Sequence, residues 1–378
     1  MDSNSNQLSK INSTKGINML DSSNSKLSDS NSHIIDSYSK TIDSYSDAID
    51  SYSEDFGILL ISHGSSLPYA EKTFKEIHKK FIAKTGYTTE VGYMKVAEPS
   101  ISQAITNLTN NNMNIKKIIA MPVFLAPGIH TNIDIPIILG LEPKEIDPRC
   151  PDGNYPNNHY LKEIEKVNFN GEINLINCIG PDPMIIDIIH NRIKSAIDNS
   201  DNTIEEEKTA ILLVSHGSRL NYNREFITEV YNQYKTQASY TVGQGFMELC
   251  EPTIAQTIDS MTKEKDFDRL IVVPVFLAPG VHTTRDIPGI LGILKDNGNE
   301  DSHNHHSNSH SHNHNHSHNS SHSHSNNHDS HNHHSNNHDH NHTHGGAADF
   351  DGEILYTEPL GADDLIIEII KQRIENEI

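Results

Sequence analysis

One block of sequence motifs occurs twice in this chain, with the second copy about 150 residues after the first. Loops normally tolerate change after a duplication, yet here the loop residues with chemically reactive side chains are present in both copies. The chain is therefore predicted to contain two related domains that share a functional site. The first copy reads LLISHGSS at 59–66, VAEPSI at 96–101 and PVFLAPGIHTNIDIP at 122–136, and the second reads LLVSHGSR at 212–219, LCEPTI at 249–254 and PVFLAPGVHTTRDIP at 274–288.

The composition excludes several classes of function. The formal net charge of −22 argues against nonspecific nucleic-acid binding, in which Lys and Arg neutralise phosphates. No apolar run approaches the roughly 20 residues of a transmembrane helix, so we expect no membrane contact. Cys150, Cys178 and Cys250 form no C-x-x-C pair, which disfavours a disulfide framework or a cysteine metal site. The N-terminus resembles neither a secretory signal nor an Arg-rich presequence, so we expect a cytoplasmic protein.

Strand and helix patterns alternate along both copies. Apolar runs such as FGILLIS at 56–62 predict buried strands, and apolar residues at helical spacing, as in 68–84, predict helices between them. The order βαβαβαβα in each copy predicts an α/β fold with two tandem doubly wound parallel-sheet domains related by internal duplication. We place the domains at 55–200 and 208–378, and we expect a monomer whose halves are related by a pseudo-two-fold axis.

Two polar segments are predicted to be disordered. Residues 1–54 are rich in Ser, Asn and Asp, and residues 296–350 form an insert at a tolerant surface loop of the second domain. Of the 26 histidines, 18 lie in 303–344. Dense exposed imidazoles bind divalent metal weakly and collectively, although a neutral low-complexity expansion explains this tract equally well. Nothing in the tract orders its ligands, so it is not the catalytic centre.

Histidines follow two strands of each predicted sheet. The SHG motif places His63 and His216 at the carboxyl ends of the first strands, where doubly wound sheets bind ligands. The LAPGIH and LAPGVH motifs bring His130 and His282 to the same edge. Two neutral imidazoles there can ligate one divalent cation. The alternative is a simple turn whose histidine packs against the sheet edge.

Each acidic residue in the neighbouring loops has two possible roles. Glu98 and Glu251 could complete a set of two histidines and a carboxylate with open coordination positions. They could instead stand in the first turn of a helix, where the macrodipole favours acidic side chains. Asp134 and Asp286 follow their histidines by four residues, and could orient the imidazole or cap a helix.

Taken together, SHGSR, MELCEPTI, PVFLAPGVHTTRDIP and the closing PLG with its helix resemble the sirohydrochlorin chelatases of the CbiX type. The resemblance covers nearly everything after residue 56 except two inserts. It is to the long, tandem form of the family, in which two chelatase-like halves face one cleft. It implies a lyase that inserts a divalent metal into sirohydrochlorin during siroheme or cobalamin biosynthesis. The metal would be a substrate, Fe²⁺ by preference with Co²⁺ and Ni²⁺ as alternatives, and no organic cofactor is implied.

The resemblance also implies residue roles. His216 and His63 would be catalytic, and the metal ligands would be His216, His282 and Glu251 with their counterparts His63, His130 and Glu98. By the same resemblance the substrate would contact the two glutamates and both histidine loops, that is, Glu98, Leu125, Ala126, Pro127, Gly128, Ile129, His130, Glu251, Leu277, Ala278, Pro279, Gly280, Val281 and His282. Because the family's substrate carries many carboxylates, we also expect it to contact Arg219 and Arg285.

The second half matches the family pattern more closely than the first. In long members of the family the N-terminal half usually carries the working site, but here the second half has the arginines, which can bind substrate carboxylates bidentately. We therefore expect the C-terminal half to be the competent one. The differing pairs are Arg219 for Ser66, Glu248 for Lys95 and Arg285 for Ile133.

Two other functions fit parts of the sequence. A His-rich protein that binds or stores divalent metal, on a degenerate chelatase scaffold, would use the tract at 303–344. A phosphate-ester hydrolase would use His63 or His216 as its nucleophile. The hydrolase is disfavoured because Ser62 and Ser215 stand where an Arg should precede the histidine.

Overall fold

A computed structural model describes residues 55–65, 68–294 and 348–378 of the protein. Within these ranges the chain forms two four-stranded sheets, and every strand pairing in them is parallel. This confirms the predicted α/β fold with two doubly wound sheets. The predictions for the tail at 1–54 and for the tract at 303–344 fall outside the described residues.

The first sheet has the strand order β2-β1-β3-β4. A π-helical turn at His130–Asp134 leads directly into α3. The fourth strand is the shortest of this sheet. The elements are β1 (Phe56–Ser62), α1 (Pro68–Thr85), β2 (Thr89–Tyr93), α2 (Ile101–Asn111), β3 (Lys117–Pro122), α3 (Ile135–Leu139), α4 (Tyr160–Glu163), β4 (Glu172–Leu175) and α5 (Pro183–Asp198).

The second sheet repeats this topology in the order β6-β5-β7-β8. In both sheets the chain winds in opposite directions from the central strand, so β1 and β3, like β5 and β7, flank the switch point where ligands bind. The elements are β5 (Thr209–Ser215), α6 (Asn221–Gln237), β6 (Thr241–Phe246), α7 (Ile254–Glu264), β7 (Arg269–Pro274), a π-helical turn (His282–Asp286), α8 (Ile287–Ile290), β8 (Glu353–Tyr356) and α9 (Asp364–Glu375).

Both faces of each central strand are buried. On β1, Ile58 and Leu60 point into a core that the two halves share, while Leu59 and Ile61 point into a separate core under α2 and α3. This period-two division follows from the alternation of side chains along a strand. It explains why the central strands read as continuous apolar runs, as expected for parallel sheets covered on both faces.

The last helix of each half packs on the sheet of the other half. Helix α5 follows the first sheet in the chain but contacts β7 and β8 of the second. Helix α9 follows the second sheet but contacts α1 and β3 of the first, and α5 and α9 also contact each other. The two halves of the sequence are therefore interlocked through exchanged helices.

A reciprocal pair of arginines fastens the exchanged helices. Arg192 on α5 donates to the carbonyls of Pro359 and Leu360 at 3.2 and 2.9 Å. Arg373 on α9 donates to the carbonyl of Ile179 at 3.0 Å and lies 3.4 Å from Asp182. The arginines lie at equivalent positions of the repeat, so the contacts obey the internal two-fold symmetry.

Replacing either arginine should destabilise the fold. We expect Arg192→Met and Arg373→Met each to lower the free energy of unfolding by about 1–3 kcal/mol, because each removes a charged donor from partly buried carbonyls. Urea denaturation measures the change. The control is Lys194→Met on α5, whose ammonium pairs with Asp198 on an exposed surface and should matter by less than about 0.5 kcal/mol. Equal effects of all three substitutions would contradict a stabilising role for the two arginines.

Candidate active site

Close backbone approach explains the glycine of each SHG motif. Gly64 and Gly217 have φ angles of 84° and 91°, a region that only glycine enters freely. A Cβ at either position would lie 1.9 Å from the carbonyl oxygen of Lys95 or 1.8 Å from that of Glu248. The glycines thus let the loop after β1 or β5 touch the loop after β2 or β6.

Hydrogen bonds at Nδ1 orient the first histidine of each pair. The Nδ1 of His63 lies 2.8 Å from the Gly64 carbonyl, and that of His216 lies 2.9 Å from the Gly217 carbonyl. A carbonyl oxygen only accepts, so Nδ1 carries the proton in both rings. The Nε2 lone pair is therefore left for a cation or for a proton.

An aspartate orients the second histidine of each pair. In each π-helical turn the histidine and the aspartate four residues later lie side by side, with His130 Nδ1 2.6 Å from Asp134 and His282 Nδ1 2.8 Å from Asp286. Turns of this type are frequent at functional sites. Of the two readings for these aspartates, the geometry matches the orienting one, and neither side chain makes a helix-capping bond.

The structure brings the predicted histidines together in both halves. The ring centroids of His63 and His130 are 4.9 Å apart, and those of His216 and His282 are 4.8 Å apart. These histidines belong to the loops after β1 and β3, and after β5 and β7, which are the loops at the two switch points. Whether each pair binds metal remains a prediction.

The carboxylate beside the second histidine pair is Glu248. Its Oε1 lies 3.3 Å from Nε2 of His216, and its side chain is only 8% exposed. Glu251 is exposed, and Glu98 is exposed with its carboxylate accepting from the Ser100 amide. Neither Glu98 nor Glu251 is part of the cleft lining, and their role as metal ligands stays a prediction. The MELCEP motif contains both glutamates, but its spacing does not show which one turns inward.

A network of charged side chains holds the aspartate that orients His130 in the first histidine pair. Asp134 is fully buried and is hydrogen-bonded to Arg149, which also donates to Asp147 at 2.7 Å. Burial alone would raise the pKa of Asp134, but hydrogen bonds from His130 and Arg149 hold it below its usual value. Arg149 likewise lowers the pKa of Asp147 to about 2. Sequence reasoning missed this network because Arg149 lies in an insert without a counterpart in the other half.

The second aspartate has a simpler environment. Burial opposes ionisation of Asp286, but hydrogen bonds from His282 and Arg285 leave its pKa below the usual range. Arg285 lies 3.0 Å from Asp286, and its side chain is 70% exposed. In the first histidine pair, the pKa of His63 is lowered, mainly by burial. Burial thus favours the neutral form of this imidazole.

Both histidine pairs open into one cleft of about 780 Å³, a volume within the range of small-molecule sites. The cleft is lined by the predicted loop residues Leu125, Ala126, Pro127, Gly128 and Ile129 of the first half, and by Leu277 and Ala278 of the second.

Other predicted substrate contacts lie off this lining. Pro279, Gly280 and Val281 are not part of it, and neither are Arg219 and Arg285, which are exposed. Ser66, the counterpart of Arg219, lies outside the described residues.

Two general features of the described ranges bear on function. No helix in them has the length and apolar character needed to cross a membrane. They also contain no preassembled group of three or more His, Cys, Asp or Glu side chains able to hold a metal.

The fold and the two histidine pairs define a two-lobed protein of chelatase-like architecture. The solved structure of SirB from Bacillus subtilis with Fe³⁺ aligns with 85% of this chain and 94% of its own, with a TM-score of 0.52 and 15% identity. At that identity the likeness concerns the fold alone. The family model of CbiX matches residues 57–196 and 210–377. The protein therefore belongs to the CbiX family, with one match in each half.

Curated relatives correspond to part of this chain. The sirohydrochlorin cobaltochelatase of Methanothermobacter thermautotrophicus is 42% identical over 177 residues, which is 47% of this chain and 98% of the relative. That of Methanocaldococcus jannaschii is 45% identical over 165 residues, which is 43% of this chain and 96% of the relative. Each relative thus aligns over nearly its whole length with less than half of this chain.

The buried Asp134 should make stability depend on pH. Its pKa is lower in the folded state, so its contribution is present above the unfolded pKa of about 3.9 and is lost as pH falls through the folded value. We expect Asp134→Asn to cost about 3 kcal/mol at pH 7, because Arg149 loses a buried partner, and the difference from wild type to shrink below about pH 4. Urea unfolding at several pH values measures it, with Asp286→Asn as a milder control. A difference that stays constant with pH would contradict this role.

The choice between the glutamates can be tested by metal affinity. We expect Glu248→Gln to weaken Co²⁺ binding in the cleft by about tenfold or more, as expected when a ligating or ligand-orienting carboxylate is lost. Glu251→Gln and Glu98→Gln should stay within about twofold of wild type. Competition with a chromophoric chelator measures the affinity, and the tract at 303–344 contributes equally to every variant. A loss confined to Glu251→Gln would restore the ligand set predicted from the sequence.

Proposed function

We propose that this protein is a chelatase that inserts a divalent metal into sirohydrochlorin. The observation that carries the proposal is the pairing of His216 with His282 at the cleft of about 780 Å³, with the Glu248 carboxylate in contact with His216. An Nε2 lone pair and a carboxylate oxygen only 3.3 Å apart attract a cation between them. The names of the relatives support sirohydrochlorin as the acceptor of that cation.

The reaction requires two events at the same place. The metal must exchange its water for the pyrrole nitrogens, and two pyrrole N–H protons must leave the macrocycle. An imidazole with a free Nε2 can hold the ion or accept a proton, so His216 and His63 are the proposed catalytic residues. Apolar loop residues such as Leu125 and Leu277 line the cleft and would hold the macrocycle facing the histidines, which supplies proximity.

The second half is proposed to be the metal-loading half. Beside its aspartate, this histidine pair has a second carboxylate, that of Glu248, in contact with His216 Nε2, whereas the equivalent position in the first half is Lys95. This supports the expectation drawn from the sequence through a different residue, because Glu248 contacts the histidine pair. The repeat boundaries at 55–200 and 208–378, and a monomeric state with pseudo-two-fold halves, remain part of the proposal.

The identity of the metal is proposed from the relatives. Their names specify cobalt, so Co²⁺ is the first candidate in place of the Fe²⁺ favoured from sequence. Imidazole and carboxylate ligands accept Fe²⁺, Co²⁺ and Ni²⁺ alike, so each ion has to be tried.

Turnover measurements test the proposal. Anaerobic incubation with sirohydrochlorin and each metal in turn should change the macrocycle absorbance faster with protein than without it. We expect His216→Ala to lower kcat/KM by about 100-fold or more and His63→Ala by less, because His216 has a carboxylate beside its Nε2 atom and the equivalent position next to His63 is a lysine. Equal losses would refute the assignment to the second half, and an absence of turnover with every metal would refute the chelatase.

The rival function as a metal store is tested separately. The tract at 303–344 holds most of the histidines, so deletion of 301–344 should abolish storage. A chelatase that works through the cleft should keep its turnover number after that deletion. If turnover and bulk metal binding disappear together, the storage function is favoured.

A further inference from the structure

Beside the two histidine pairs, equivalent backbone positions carry side chains of opposite charge, Lys95 in the first half and Glu248 in the second. The amide of Lys95 donates to the His63 carbonyl at 3.3 Å, and the amide of Glu248 donates to the His216 carbonyl at 3.1 Å. The glycine that follows each histidine approaches the carbonyl of Lys95 or Glu248 in the same way. The two loops therefore match in backbone, and their side chains decide what each histidine pair accepts.

The Lys95 side chain belongs to the same cluster as the first histidine pair. Its ammonium lies 5.1 Å from the ring centroid of Tyr160, within the range of a cation–π contact. Tyr160 in turn lies beside Asp134, the aspartate that holds His130, and this proximity contributes to the raised pKa of the tyrosine after burial. Lys95 is thus held by an aromatic ring instead of extending freely into solvent.

The charges around the two pairs differ accordingly. Around the first pair, the two aspartates of the buried network, Asp134 and Asp147, are balanced by Arg149 and Lys95. At the second pair, Glu248 contacts His216, and Asp286 contacts both His282 and Arg285. The equivalent position next to the first histidine of each pair therefore carries a positive charge in the first half and a negative charge in the second, and only the negative one attracts a divalent ion.

We propose that Lys95 is a specificity-determining residue, which closes the first histidine pair to divalent metal and makes that side of the cleft receptive to a carboxylate of the substrate. The second pair then loads the single metal ion. This inference rests on the proposed function only for the identity of the anion, since sirohydrochlorin carries many carboxylates. The metal side of it depends on Lys95 and Glu248 alone.

Reversing the charge at position 95 or 248 should change which histidine pair binds a metal ion. In the full chain, Lys95→Glu should bind one more Co²⁺ than wild type, and Glu248→Lys should bind one fewer. Equilibrium dialysis at buffered Co²⁺ measures the difference, and the histidine tract, identical in all three proteins, cancels. Anomalous scattering from crystals soaked in Co²⁺ then shows which pair holds each ion.

Wild-type protein alone already tests the inference, so it does not depend on a variant folding. Cobalt at the second pair only supports it, and cobalt at both pairs overturns it. A folded Lys95→Glu protein that gains no ion also overturns it. None of these outcomes needs turnover, so they remain readable even if the protein proves inactive as a chelatase.

The carboxylate role has its own readout. If the protein turns over sirohydrochlorin, Lys95→Gln should raise KM by about threefold or more and leave kcat within about twofold, because a charged hydrogen bond to the substrate is lost. The control is Lys144→Gln, an exposed lysine of the same half that bonds to Asn177. An unchanged KM in Lys95→Gln overturns the carboxylate role.

Discussion

The hydrogen bonds at the Nδ1 atoms of four histidines are the constraint on which the site depends. Two are made to the carbonyl of the next residue, Gly64 or Gly217, and two to an aspartate one turn further along the chain. Each bond orients a ring and places its proton on the same nitrogen. The opposite nitrogens are thereby left with lone pairs in the cleft, which is the state that metal binding and proton transfer both require.

The exchanged helices explain how these rings come to share one cleft. Helices α5 and α9 each cover the sheet of the other half, and Arg192 and Arg373 join them to the facing loops. The shared core beneath them contains strands from both sheets. Because the two carboxyl edges are held by a single core, the cleft between them is part of the folded framework.

The two halves have the same backbone arrangement at the site but differ in the charges of the side chains around it. The first half has gained an insert whose Arg149 and Tyr160 surround Asp134, and it has Lys95 where the second half has Glu248. A duplicated site can diverge in this way, because the loop geometry depends on glycines and backbone hydrogen bonds and leaves the side chain at that position free to change.

The sequence by itself determined the strand and helix order, the duplication and the four histidines, because periods of two and 3.6 residues and strand-end motifs are local properties. Tertiary structure decided which carboxylate meets His216. The chain turns at Leu249 with a φ of 62°, so Glu248 faces inward and Glu251 outward, and no spacing rule contains that turn. It also decided which sheet α5 and α9 cover, since an apolar helix face does not specify its partner until all the competing surfaces are packed together.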